Sequence, residues 1–191
     1  MHETILADLK KAYLGRSDRL NHVYGVKNTA IKLAKIHGVD INKVITAAYL
    51  HDLTKYMDYD KQVELLKAHN LENLIDSFSP PLYHAFTAAI IAKTVYNIHD
   101  IDLLNAITSH TVGKSNMSIL EKIIFISDYI EPSRHYASCV MVREIAFNDL
   151  DYAIYLAIDY SIKYFESIGG RIPSVAIDAR NFYNPKGGFH E

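Results

Sequence analysis

Residues 118–132 read SILEKIIFISDYIEP, and this stretch bears on both the fold class and the chemistry. Ser118 followed three residues later by Glu121 is the capping-box signature of a helix start. Pro132 is a stop, because proline lacks an N–H and its ring clashes with the preceding turn. Between them Leu120, Ile123 and Ile124 recur at helical spacing, which predicts one apolar face turned to a core. Asp128 continues that face. A carboxylate carried into an apolar interior needs a neutralising partner, so the helix that argues for an α-helical core also argues for something cationic inside it.

The same period extends outward in both directions. Helices are predicted over 4–14, from Ser17 to a stop at Gly38, and from an N-cap at Asp40 through Val44, Ala47 and Ala48 to His51. Shorter ones follow over 58–69 and 72–77. Ser79-Pro80-Pro81 reads as a capping residue and a proline-rich first turn leading into LYHAFTAAIIAKTVY. Asp100 opens a helix to about His110, and helices over 136–147, 150–168 and 174–183 complete the chain. No repeat, low-complexity tract or linker interrupts them, so the expectation is one all-α domain over 1–191.

Composition narrows the function classes. Hydrophobic residues are 49% and charged residues 22% of the 191, an ordinary globular balance that argues against disorder or a disulfide scaffold. Lys and Arg total 20 against 22 Asp and Glu, a net charge of −2; no broad cationic field exists for a nucleic-acid polymer. No apolar run approaches the roughly 20 residues of a membrane span. The start, MHETILADLKKAYLGR, carries acidic residues where a signal peptide has a basic and then apolar stretch, so a cytoplasmic protein is expected. The ten histidines stand beside one cysteine, Cys139. Any transition metal would therefore be held by imidazole and carboxylate.

Four histidines extend apolar helix faces. His22 precedes Val26, Thr29 and Leu33; His51 follows Val44, Ala47 and Ala48; His84 precedes Ala88 and Ile91; His110 follows Leu103, Ala106 and Ile107. With Asp52 and Asp128 they make four imidazoles and two carboxylates pointing inward, enough for two metals. The remaining histidines have simpler readings: His37 and His69 precede helix stops and can face the negative end of the helix dipole, His2 and His190 lie near the termini, and His99 and His135 fall in loops. The 14 tyrosines are chiefly packing groups, with one available to stack on adenine. Arg180 and Asn181 are candidate base or phosphate contacts, though a docking terminal helix accounts for them nearly as well.

In this order His22, His51-Asp52 and Asp128 resemble the H…HD…D signature of the HD-domain metal-dependent phosphohydrolases, and His84 and His110 resemble its two-metal subset. RLNHVYGV at 19–26, HDLTK at 51–55, HAFTAA at 84–89, SHTVG at 109–113, SDYIEPSR at 127–134 and DARNFY at 178–183 are similar to the symmetrical bis(5'-nucleosyl)-tetraphosphatase branch. HDLTK lacks the paired acidic residues that accompany guanosine-tetraphosphate hydrolysis, and no GYP motif of cyclic-dinucleotide phosphodiesterases follows.

The resemblance implies a helical bundle with a buried dinuclear centre, its signature region at 19–134 and the helices of 136–183 completing the fold. The implied metal is iron, with manganese, cobalt or zinc also accommodated by such ligands. His22, His51, Asp52 and Asp128 would hold one ion, and Asp52 would bridge to a second held by His84 and His110. Two cations about 3.5–4 Å apart can bind a hydroxide that attacks a phosphate, splitting diadenosine tetraphosphate into two ADP. Lys55, Thr111 and Arg134 are the expected substrate contacts, Lys55 from one turn beyond His51 if the helix continues. Arg19 and Glu131 are expected to orient the ligands. A homodimer is consistent with the family, although no heptad or large apolar stripe shows one. Competing readings are an HD phosphohydrolase of another nucleotide, an HD-type di-iron oxygenase, and a nucleotide-binding regulator without turnover. The two cations Lys55 and Arg134 favour a polyphosphate over a neutral organic substrate.

Overall fold

The computed structural model describes residues 1–185. These form α1 (His2–Ala12), α2 (Ser17–His37), α3 (Ile41–Leu50), α4 (Tyr59–Ala68), α5 (Asn73–Ser77), α6 (Tyr83–Thr94), α7 (Ile101–Ser109), α8 (Ile119–Ile130), α9 (Ala137–Ala146), α10 (Leu150–Ser167) and α11 (Ser174–Tyr183). No strand occurs among the described residues. His190 lies outside them.

Side-chain caps decide where five of these helices begin. Asp40, Asp58, Asp100 and Asp149 accept hydrogen bonds from first-turn N–H groups of α3, α4, α7 and α10, donors that a helix start leaves orphaned. At α8 both arms of the capping box form: the Glu121 N–H donates to Ser118 Oγ at 3.2 Å and the Ser118 N–H to Glu121 Oε2 at 2.8 Å. α2 ends at Gly38, whose φ of 69° is the left-handed conformation that glycine adopts without a Cβ penalty.

Two expectations require correction. Ser79 does not cap a helix: Pro80–Leu82 form a 3-10 turn, and α6 starts only at Tyr83. Pro80 and Pro81 have no N–H to offer the Ser79 hydroxyl, so the first turn closes instead through Leu82 N–H to the Ser79 carbonyl at 2.9 Å. The first helix begins at His2 rather than Thr4, and His2 is not a frayed terminal residue. Its Nε2 lies 2.8 Å from Thr46 Oγ1 and its ring meets Tyr49 edge-on, docking α1 on α3.

α8 is the central element. Leu120, Ile123, Ile124, Ile126 and Ile130 are 2% exposed or less, and burial of each such side chain contributes about 1.5–3 kcal/mol. α2, α3 and α7 pack on α8, α6 packs on α7, and α10 covers α8 while carrying α9 and α11. The core cluster therefore runs from Ile5 to Tyr183. A satellite cluster of Leu66, Tyr83 and Ile90 holds α4 and α5 near α6. No helix among the described residues is long and apolar enough to cross a membrane. What matters for function is that the start of α2, the end of α3, the start of α6, the end of α7 and the end of α8 converge on one point.

Candidate metal centre

His51 and His110 are the residues immediately after α3 and α7, and His84 is the second residue of α6. Each turns its Nδ1 back onto the carbonyl three residues earlier: Ala48 O at 2.7 Å, Ile107 O at 2.7 Å and Pro81 O at 2.8 Å. A carbonyl only accepts, so Nδ1 carries a proton, and the neutral form of each ring presents its lone pair on Nε2. Burial lowers the pKa of His51, and it brings that of His84 down to about 4, which keeps both rings neutral at pH 7.

Those lone pairs converge on Asp52. His84 Nε2 and His110 Nε2 lie 3.0 and 3.6 Å from Asp52 Oδ1, and 3.2 Å from each other. His51 Nε2 lies 3.4 Å from Asp52 Oδ2, fully buried and without a hydrogen-bond partner. Acceptors facing acceptors repel unless a cation stands between them, and this orphaned nitrogen is the observation that tests whether a metal fits. It does: neutral imidazoles and a carboxylate are the donor set of a transition metal, and hydrogen bonding at the far ring nitrogen is how metal-binding histidines are oriented.

His22 is built differently. Its Nδ1 lies 3.0 Å from Glu131 Oε1, and its Nε2 lies 3.0 Å from Asp128 Oδ1 and 3.7 Å from Asp52 Oδ2. Burial works against its charge, but the neighbouring carboxylates of Asp128 and Glu131 prevail and raise its pKa. Here a metal would displace a proton. Burial pushes the Glu131 carboxyl upward, yet His22 and Ser133 outweigh it and hold it at about 2.

The two oxygens of Asp52 thus face different partners, Oδ1 toward His84 and His110, Oδ2 toward His51 and His22. His22, His51 and Asp52 form one group able to hold a metal ion, and Asp52, His84 and His110 a second, with the donor atoms of each within 4.8 Å of one another. Burial opposes ionisation of Asp52, but His51, His110 and His84 hold its pKa well below the ordinary carboxylate value. Asp128 is likewise held well below it, burial being outweighed by His22 and then Arg134.

Three cations border this cluster. Arg19, one turn before His22, donates through Nη2 to Asp52 Oδ2. Arg134 Nη2 lies 3.1 Å from Asp128 Oδ1. Lys55 arrives by a different route from the expected helix continuation: α3 has ended, and a turn with Lys55 N–H to Asp52 O at 2.8 Å brings it back. Lys55 Nζ is 3.4 Å from both ring nitrogens of His84. It therefore sits between the two nitrogens rather than in line with either, and burial lowers its pKa.

Other candidates fall elsewhere. Thr111 lines a narrow cleft with Phe125, Ile158 and Ile162 rather than the cavity shared by Arg19 and Arg134. Arg180 points to Asp159 on α10, with Nη1 3.9 Å from Oδ1. His99 bonds Asn97 in a loop at 2.8 Å, while His135 is exposed but borders the cavity beside His22.

Four supports were not legible in the sequence. Buried Tyr13 donates to the Asp52 carbonyl at 2.6 Å. Thr54 donates to the His84 carbonyl at 2.9 Å and pairs with Thr87 at 2.7 Å, tying the turn after α3 to α6. Arg143 of α9 donates to the carbonyls of Ile130, Glu131 and Arg134 at 2.6, 2.9 and 2.8 Å, fixing the end of α8. Gly25 leaves room for Glu131: a Cβ there would lie 2.5 Å from Glu131 Oε2. Only the last had a signal, a glycine inside a helix where it costs about 1 kcal/mol.

Comparison with known proteins agrees with this geometry. Residues 19–133 match the HD domain family. The chain belongs to the HD-domain family. Among HD-domain relatives, a protein of Staphylococcus aureus named bis(5'-nucleosyl)-tetraphosphatase, symmetrical, is 36% identical over 87% of each chain. One of the same name from Halalkalibacterium halodurans is 41% identical over 71% of this chain and 73% of its own. A crystal structure from Clostridium acetobutylicum, described as a predicted HD superfamily hydrolase involved in NAD metabolism, superposes with a TM-score of 0.89. It is 35% identical and covers 97% of this chain and 98% of its own.

Proposed function

We propose that this HD-domain protein is a metal-dependent hydrolase that splits diadenosine tetraphosphate symmetrically into two ADP. The observation that carries the reading is the divided carboxylate of Asp52, one oxygen toward His84 and His110 and the other toward His22 and His51. The names of the two relatives supply the substrate.

In this reading His22, His51, Asp52 and Asp128 would hold one ion, and Asp52, His84 and His110 a second. Iron is the metal the resemblance favours, while the same donors accept manganese, cobalt or zinc. Bound there, such ions supply Lewis acidity and acidify the attacking water. The chain's own residues do the rest. Arg134 offers a planar donor pair to a phosphate, and Arg19 balances Asp52. Lys55 contributes a compact charge over the His84 side of the centre. Glu131 holds His22 by its Nδ1, keeping Nε2 aimed inward. Three cations around a carboxylate-histidine cluster suit a polyanionic substrate better than a neutral one, which favours a phosphohydrolase over an oxygenase.

The test is to incubate metal-loaded protein with diadenosine tetraphosphate and resolve the nucleotides. Two ADP per substrate is expected. AMP plus ATP, or intact substrate, would sink symmetrical cleavage, and a panel of other nucleotides would then name the preferred one.

A further inference from the structure

An open cavity of about 550 Å³ adjoins the cluster, and Arg19, His22 and Arg134 line it together with Asp18, His135 and Tyr136. That volume lies in the range of small-molecule sites, and the narrow cleft beside Thr111 offers only about 30 Å³. Of the two, only the first can admit a nucleoside.

Tyr136 breaks a local rule. It occupies the N-cap of α9, where Ser, Thr, Asp or Asn would bond the orphaned N–H groups, and its side chain makes no such bond. Tyr136 is 71% exposed. An exposed aromatic on the wall of this cavity is placed to meet a ligand there. Nor is it loosely hung: Arg143 clamps the carbonyls of Glu131 and Arg134, just before it in sequence. Arg134 and Tyr136 line the same cavity, so a phosphate at Arg134 leaves an attached nucleoside within reach of the Tyr136 ring. Asp18, exposed in the first turn of α2, supplies an acceptor on the cavity wall for ribose hydroxyls or an exocyclic amine.

We propose that Tyr136 is the stacking platform for one nucleobase, making this cavity the seat of one nucleoside-diphosphate half of the substrate. The inference rests on the dinucleoside polyphosphate reading above and names the subsite within it. Aromatic–base stacking tolerates any base, because every base has a π face; the subsite therefore selects for a nucleoside rather than for adenine alone.

Calorimetric titration of the metal-loaded protein with ADP and with pyrophosphate, for wild type, Tyr136→Ala and Tyr136→Phe, tests it. Tyr136→Ala should weaken ADP roughly 10-fold and leave pyrophosphate unchanged, while Tyr136→Phe keeps wild-type ADP affinity. With diadenosine tetraphosphate, Tyr136→Ala should raise KM and leave kcat alone. Equal losses for ADP and pyrophosphate, or no loss for ADP, overturn the platform. Wild-type protein that leaves diadenosine tetraphosphate intact, with the ADP loss still present in Tyr136→Ala, would sink the substrate assignment and leave the platform standing.

Discussion

The two sides of the centre solve the same problem by different means. On the side of His51, His84 and His110, every ring is tied to a carbonyl three residues back in its own chain segment. These rings are 2% exposed or less, and burial lowers the pKa of His51 and His84. On the side of His22, orientation comes from Glu131, 109 residues away. Charge there is balanced among His22, Asp128, Glu131 and Arg134, and Asp128 keeps 19% of its side chain exposed. On the first side each ring's orientation is preset by local backbone, and packing of α3, α6 and α7 brings the three together. The second is an ion network that depends on α8 and α9 being docked and opens to the cavity where substrate is proposed to enter. The first side buries its ligand set almost completely, while on the second Asp128 and Arg134 stay partly exposed.

The contrast can be attacked at the residue both sides share. Asp52→Ala removes the common carboxylate, so metal content should fall for both ions and turnover by at least about 1000-fold, read by elemental analysis and initial rates. Loss of only one ion would show that Asp52 does not join the two sides. A smaller and one-sided effect is expected of Gly25→Ala, whose Cβ would meet Glu131 Oε2 at 2.5 Å. Pushed off His22, Glu131 no longer orients it, and affinity at that ion should fall about 10-fold or more; Glu131→Gln should do likewise. Metal titration resolves the two binding steps, and weakening of both together would contradict the division.

The smallest effect separates the sides by pH in metal-free protein. His84 has its pKa lowered from 6.5 to about 4 by burial, so the unfolded chain binds the proton more readily. Stability due to its neutral form is full above 6.5 and declines as pH falls toward 4, by on the order of 3 kcal/mol. Glu131 is lowered from 4.5 to about 2, where burial is outweighed by His22 and Ser133; its contribution is full above 4.5 and declines as pH falls through 2. Comparing urea midpoints of wild type and His84→Gln, the gap should shift between pH 6.5 and 4. Comparing wild type with Glu131→Gln, it should shift below 4.5. A common window for both variants would erase the distinction.

Much of the fold was legible because its signals are local. Asp40, Asp100 and the Ser118–Glu121 box predict helix starts that the structure shows, and each acts within its own first turn. Ser79 misled because Pro80 and Pro81 offer its hydroxyl no N–H, and the Leu82 N–H closes the turn on the Ser79 carbonyl instead. The inward histidines were legible too, since an apolar period records which face a helix buries.

The supports of the site were not. Tyr13 reaches Asp52 across 39 residues, and Arg143 grips three carbonyls at the end of α8, contacts that leave no period behind. By itself the sequence determined the helices, their buried faces and the residues brought to those faces, because caps and hydrophobic spacing act over one or two turns. Only the tertiary structure decided that Asp52 divides its two oxygens between separate sets of histidines, that Gly25 makes room for Glu131, and that Tyr136 stands bare beside a cavity. Those facts depend on helix packing across the fold, and side-chain geometry at that range is set by the whole core at once.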